Sequence, residues 1–255
     1  KILVQITCGW NDQTSGGIFV DSCVFTDRNT IAKDDSEFSF IKIAGRSTNI
    51  QISNSVFNGG KFGSGGAITK NYILNFGVQP SSLLAIEKSV FKGIDGQTGP
   101  FIRSNENGFN LISTSIFRGA KFLDDDNGNH AALLFQPSQQ YSTIRLDTFS
   151  DIKNGSAILL DNSNENFVII QNQFINIDAK TSLGGAIVII NPTATNIITA
   201  QYNTFENNKG LKAGAIYIDA SVRAPKYNIY YDIFTGIEEI AKAVEEESEE
   251  EIVFF

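Results

Sequence analysis

Eight short β-like runs end in phenylalanine at a nearly constant spacing, and this recurrence limits the fold more than any other feature of the chain. CVF ends at Phe25, SVF at Phe57 and Phe91, SIF at Phe117, DTF at Phe149, NQF at Phe174, NTF at Phe205 and DIF at Phe234, at intervals of 32, 34, 26, 32, 25, 31 and 29 residues. A second marker follows the phenylalanine: a small-residue pair that opens an apolar run. Gly65-Gly66-Ala67-Ile68, Gly184-Gly185-Ala186-Ile187 and Ala213-Gly214-Ala215-Ile216 are its clearest forms, and Gly16-Gly17-Ile18-Phe19 reads as an early member. A third run precedes the phenylalanine, as in Ile50-Gln51-Ile52 and Ile144-Arg145-Leu146, and alternates apolar with polar as a half-buried strand does. Asn, Ser, Asp, Thr and Gly fill the intervals, as turns require.

A unit of about thirty residues cannot bury its own apolar face, but stacked units can, each strand pairing with its equivalent one coil away. The expectation is an all-β chain: one right-handed parallel β-helix of about eight coils, its hand taken from the usual crossover rule. Inward positions become ladders of like side chains, phenylalanine on phenylalanine and isoleucine on isoleucine. Turn asparagines such as Asn176 and Asn207 join them through their amides. The glycine pairs then mark corners, where positive φ or close backbone approach is needed. They are not phosphate loops, because no Gly-Lys-Ser/Thr follows them.

Charge is uneven. The net charge is -8, and the stretch from Glu238 to Glu251 holds eight Glu against one Lys, so the remainder is almost neutral. A near-neutral body lacks the basic footprint that nucleic acid requires. No apolar run is long enough to span a membrane. The chain opens mid-pattern at Lys1-Ile2-Leu3-Val4 and reads as a processed protein or an internal fragment. Residues 1–236 are assigned to the β-helix and 237–255 to an acidic cap or tail. Ile237, Ile240, Ala241 and Val244 have helical spacing, which predicts a short capping helix over the last coil. Ile252-Val253-Phe254-Phe255 resumes a strand-like pattern and predicts continuation of the chain or docking on a partner.

The Phe-x-x-Asn and Gly-Gly-Ala-Ile repeats resemble those of the polymorphic membrane proteins of chlamydiae and of protist surface proteins with pectin-lyase-like repeats. Phe205-Glu206-Asn207-Asn208 with Ala213-Gly214-Ala215-Ile216, and Phe174-Ile175-Asn176-Ile177 with Gly184-Gly185-Ala186-Ile187, carry the resemblance. Phe57 and Phe91 depart from it, being followed by glycines and lysine. The resemblance implies an extracellular or cell-surface stalk, structural or adhesive, whose partners are other protein subunits or surface glycans. The alternatives are a polysaccharide lyase or glycoside hydrolase, or a carbohydrate-binding module.

Candidate chemistry is sparse. Asp124, Asp125, Asp126 and Asn129 form the densest acidic stretch and have the chemistry of a calcium loop. The EF-hand spacing fails, because Gly128 falls at the fifth place and no Glu follows at the twelfth. A solvated turn in a long insertion is the plainer reading. His130, the single histidine, can act as a general acid or base, but alone it builds no two-histidine metal site. Glycoside hydrolysis needs two carboxylates, which Asp124–Asp126 with Asp147 or Asp151 could supply. The Asn-Thr-Asp, Gly-His-Gly and Arg-Ile-Lys motifs of polygalacturonases are missing. Trp10, Tyr141, Tyr202, Tyr217, Tyr227, Tyr230 and Tyr231 are the aromatic pool from which a sugar site could be drawn. Asn154-Gly155-Ser156 is a glycosylation sequon. Cys8 and Cys23 suit either a disulfide or two buried thiols.

Overall fold

The computed structural model describes residues 2–7, 17–26, 39–44, 49–62, 65–71, 82–105, 108–123, 130–136, 141–161, 166–180, 183–192, 197–219, 226–239 and 251–254. Among these residues the chain is all-β, wound as a parallel solenoid with three long sheets. The runs preceding each phenylalanine form an eight-stranded alternating sheet, from Gly17–Asp21 to Lys226–Tyr230. The phenylalanine runs form a second sheet of eight, from Val24–Thr26 to Ile233–Thr235. The runs after the corners form a long sheet of nine, from Ile2–Thr7 to Glu251–Phe254.

The register stacks like on like. In the long sheet Ile41, Ile68, Ile102, Leu133, Ile158, Ile187 and Ile216 lie in one column. In the alternating sheet Ile52, Ile86, Ile112, Ile144 and Ile169 lie in another. The rings of Phe25, Phe57, Phe91, Phe117, Phe149, Phe174, Phe205 and Phe234 form one unbroken stack, with centroids 4.6–5.1 Å apart and planes 3–12° from parallel. Burying one such ring stabilises the fold by about 1.5–3 kcal/mol. The alternating sheet buries every second residue because its outer face meets water. From Leu134 onward the long sheet is apolar on both faces, because Ala131, Leu159, Val188, Ala213 and Tyr217 form a second buried cluster outside it with Leu134, Leu183 and Ile190 packed against it, whereas Lys42, Thr69 and Arg103 fill the outer column in earlier coils.

Two corners bracket each phenylalanine strand. The third residue before every phenylalanine has a left-handed backbone: Ser22, Asn54, Lys88, Thr114, Leu146, Gln171, Tyr202 and Tyr231, with φ of 49–61°. The second residue after it does so at Gly59, Gly119, Asp151, Asn176, Asn207 and Gly236. Glycine, asparagine and aspartate are the residues that take this conformation most cheaply. Gly59 after Phe57 therefore meets the same requirement as Asn207 after Phe205, whereas Gly93 after Phe91 is not left-handed, and neither unit has the third-place amide by which Asn208 accepts from Ile177 N and donates to the Phe174 carbonyl.

Three expectations need correction. Gly17–Asp21 does not belong with the small-residue corners: it pairs with Asn49–Ser53 in the alternating sheet. The place expected for it is taken by Ser39–Ala44, where Phe40 and Ile41 are buried. Glu238–Glu239 is a strand, not the start of a helix, because it extends a side column of short strands by pairing with Lys209–Gly210. Ile237 packs on the core beside it, and the remainder of the expected helix lies outside the described residues. Glu251–Phe254 docks on this chain's own last coil, antiparallel to Ile216–Asp219. The glycine pairs serve close approach: a Cβ on Gly185 would run into the carbonyl oxygen of Gly214.

Candidate functional site

The polar side chains nearest the core are used by the fold. Two residues before each phenylalanine stands Cys23, Ser55, Ser89, Ser115, Asp147, Asn172, Asn203 or Asp232. Each backbone N–H in this column donates to the side-chain oxygen one coil on, from Cys23 N to Ser55 Oγ at 3.1 Å through to Asn203 N to Asp232 Oδ1 at 2.6 Å. The side chains also donate. Cys23, Ser55, Ser89 and Ser115 give their hydrogens to the carbonyls of Asp21, Ser53, Glu87 and Ser113. The amides of Asn172 and Asn203 donate to the Ile144 and Ile169 carbonyls at 2.9 and 3.0 Å. Asp147 alone among the buried members has an oxygen, Oδ2, with no partner. Burial pushes its carboxyl up to about 8, against the lowering effect of the N–H groups of Ser115 and Arg145 and the Arg145 charge.

Among the described residues, His130, Asp147, Asp151 and Asn154 are each engaged by the wall of the solenoid. Asp124, Asp125, Asp126 and Asn129 lie outside the described residues. His130 stacks on the buried Phe122 ring, with centroids 5.4 Å apart, and its carbonyl accepts from Ser156 N. Asp147 is buried before the Thr148–Ser150 strand, while Asp151 is exposed just beyond it and accepts from Asn176 Nδ2 at 3.2 Å. The sequon is built into the wall: Asn154 Nδ2 donates to the Phe122 carbonyl and the buried Ser156 Oγ to the Gly184 carbonyl. Cys23 is a free thiol within the ladder, and Cys8 lies outside the described residues. Among the described residues, no group of three or more His, Cys, Asp or Glu could hold a metal ion, and no helix is long and apolar enough to cross a membrane.

Of the aromatic pool, Tyr217 is buried under Lys212, and Trp10 lies outside the described residues. Tyr202 and Tyr231 occupy the left-handed corner on the last two coils, 52% and 70% exposed, with rings parallel and centroids 5.1 Å apart. Tyr230 stands at 85° to Tyr231, 5.5 Å away, and its hydroxyl accepts from Gln201 Nε2. The sequence names these tyrosines but not their arrangement. Its signal was the place of Tyr202 and Tyr231, third before a phenylalanine. Comparison of the chain with family models, with curated proteins and with solved structures returns no match.

Proposed function

We propose that the chain is a non-catalytic structural or adhesive β-helix module of a cell-surface or extracellular assembly, with other protein subunits or surface glycans as partners. A fold by itself assigns no function, so the reading rests on how the acidic side chains are used. Asp147 and Asp232 accept from backbone N–H groups of the preceding coil, Asp21 from Ser53 and Asn54, and Asp151 from Asn176. Asp95 and Glu238 pair with Lys121 and Lys209. Carboxylates committed to holding coils together are not poised to flank a glycosidic bond. The resemblance of the repeats to surface proteins supports the extracellular setting.

The test is to offer the full chain a range of plant, fungal and bacterial polysaccharides, following reducing ends and unsaturated products, and in parallel to immobilise it and measure retention of cells or matrix. The expected result is retention without turnover. Turnover that disappears in Asp125→Asn or Asp126→Asn would overturn the reading in favour of a polysaccharide lyase or hydrolase.

A further inference from the structure

We propose that the corner ridge of Tyr202, Tyr230 and Tyr231 is a binding site for a neutral saccharide, an inference that deepens the adhesive reading by naming its ligand. The first support is conformational. The fold imposes a left-handed backbone at this corner but not the residue that occupies it, and Asn54 shows the inexpensive choice. A left-handed conformation is costly for an ordinary residue, and Lys88, Thr114, Leu146 and Gln171 bear that cost at the same corner as the two tyrosines do. The two tyrosines differ in stacking on one another while both residues remain more than half exposed. The backbone requirement therefore does not select tyrosine, and a pair of stacked, exposed rings is a surface open to a ligand.

The second support is chemical. Tyr202 covers one face of the Tyr231 ring, and Tyr230 stands perpendicular beside it, so the three rings form a stepped corner. The apolar face of a pyranose ring packs on such aromatic surfaces, while hydroxyls and amides fix its orientation. Gln201 donates its Nε2 to the Tyr230 hydroxyl, and Gln171 occupies the same corner one coil before Tyr202, so both offer neutral donors and acceptors there. Of the charged residues nearby, Arg145 lies in the strand column of Gln201 two coils away, and Asp232, next to Tyr231, turns its Oδ1 to Asn203 in the polar ladder. Two coils span roughly 10 Å, which suits one or two sugar rings. A stable protein partner would need about 800 Å² from this side.

The experiment titrates the full chain with neutral oligosaccharides of three to six units (gluco-, manno-, xylo- and chito-series) and with uronic-acid oligomers, reading tyrosine fluorescence and heat. Tyr202→Asn and Tyr231→Asn are the variants, because asparagine fits the left-handed corner, and Tyr141→Asn is the distant control. The expected result is binding of at least one neutral series, weakened at least tenfold in both corner variants and unchanged in the control, with melting temperature level or raised. Binding of none of the neutral series, binding undiminished in the variants, or binding confined to uronic acids overturns the proposal. A melting temperature lowered by several degrees in both corner variants also overturns it, since the stack would then be structural. Retention of cells or matrix with no sugar bound would remove the ridge and leave the adhesive reading in place.

Discussion

At the scale of single residues, one proton matters. Asp147 occupies a position where its buried neighbours donate a hydrogen to a main-chain carbonyl, which a carboxylate cannot do. The carbonyl in the corresponding place is that of Ile112, as Ile144 is for Asn172. With its pKa raised from 3.8 to about 8, Asp147 is a neutral acid in the folded chain at pH 7. As pH rises above about 4 the unfolded chain ionises first, so the stability Asp147 contributes is complete below that point, declines toward pH 8 and then levels. The expected loss is on the order of a few kcal/mol. Asp147→Asn should flatten this decline in denaturant titrations between pH 4 and pH 8, and the same slope in the variant would refute the assignment. Thr114 presents a simpler case. It is exposed and β-branched at φ 54°, so Thr114→Asn should add about 1 kcal/mol and raise the melting temperature by about 2–4 °C; a lowered melting temperature would contradict this.

At the scale of the coil, two kinds of corner do different work. The small-residue corner exists so that backbones can touch, and Gly185→Ala places a Cβ against the Gly214 carbonyl. It should cost about 3 kcal/mol, the upper end for overpacking, read as a lower denaturation midpoint with unchanged slope. A variant as stable as the parent would mean that the corner yields. The left-handed corners explain what could be read in advance. Phenylalanine, isoleucine and Gly-Gly-Ala-Ile recur because a closed interior admits few shapes, so the strands, their order and the aromatic stack were legible. The corner before each phenylalanine was not, because Ser22, Lys88, Leu146 and Tyr231 share no chemistry; rung geometry sets their φ against their own preference. The polar ladder was in plain view as a serine, asparagine or aspartate two places before most phenylalanines, yet it resembled ordinary turn composition. The tyrosine ridge stayed hidden for the same reason as its corner: its residues become neighbours only when coils stack. The helix expected from Ile237 failed at its start because Lys209–Gly210 offers Glu238–Glu239 a strand edge.

For the molecule as a whole, charge and edges keep the coils in order. A side column runs Asp95, Lys121, Lys153, Asp178, Lys209 and Glu238, with signs that mostly alternate. Single exposed pairs of this kind are worth about 0–1 kcal/mol, and Lys121 beside Lys153 is the like-charged step in the column. The last strand of the long sheet is covered by Glu251–Phe254, running the opposite way. An open parallel edge invites pairing with another chain. Removing residues 240–255 should therefore convert the protein to concentration-dependent oligomers in sedimentation experiments, and a truncated chain that sediments as a monomer throughout would show that this strand guards nothing. The phenylalanine stack has an optical consequence. Eight rings held parallel at contact distance share a fixed chiral environment, and near-ultraviolet circular dichroism senses such fixed aromatic packing. The rod thus carries its own chromophore array. Loosening a coil in the middle divides that array in two, so the signal reports the continuity of the rod rather than its content of strand.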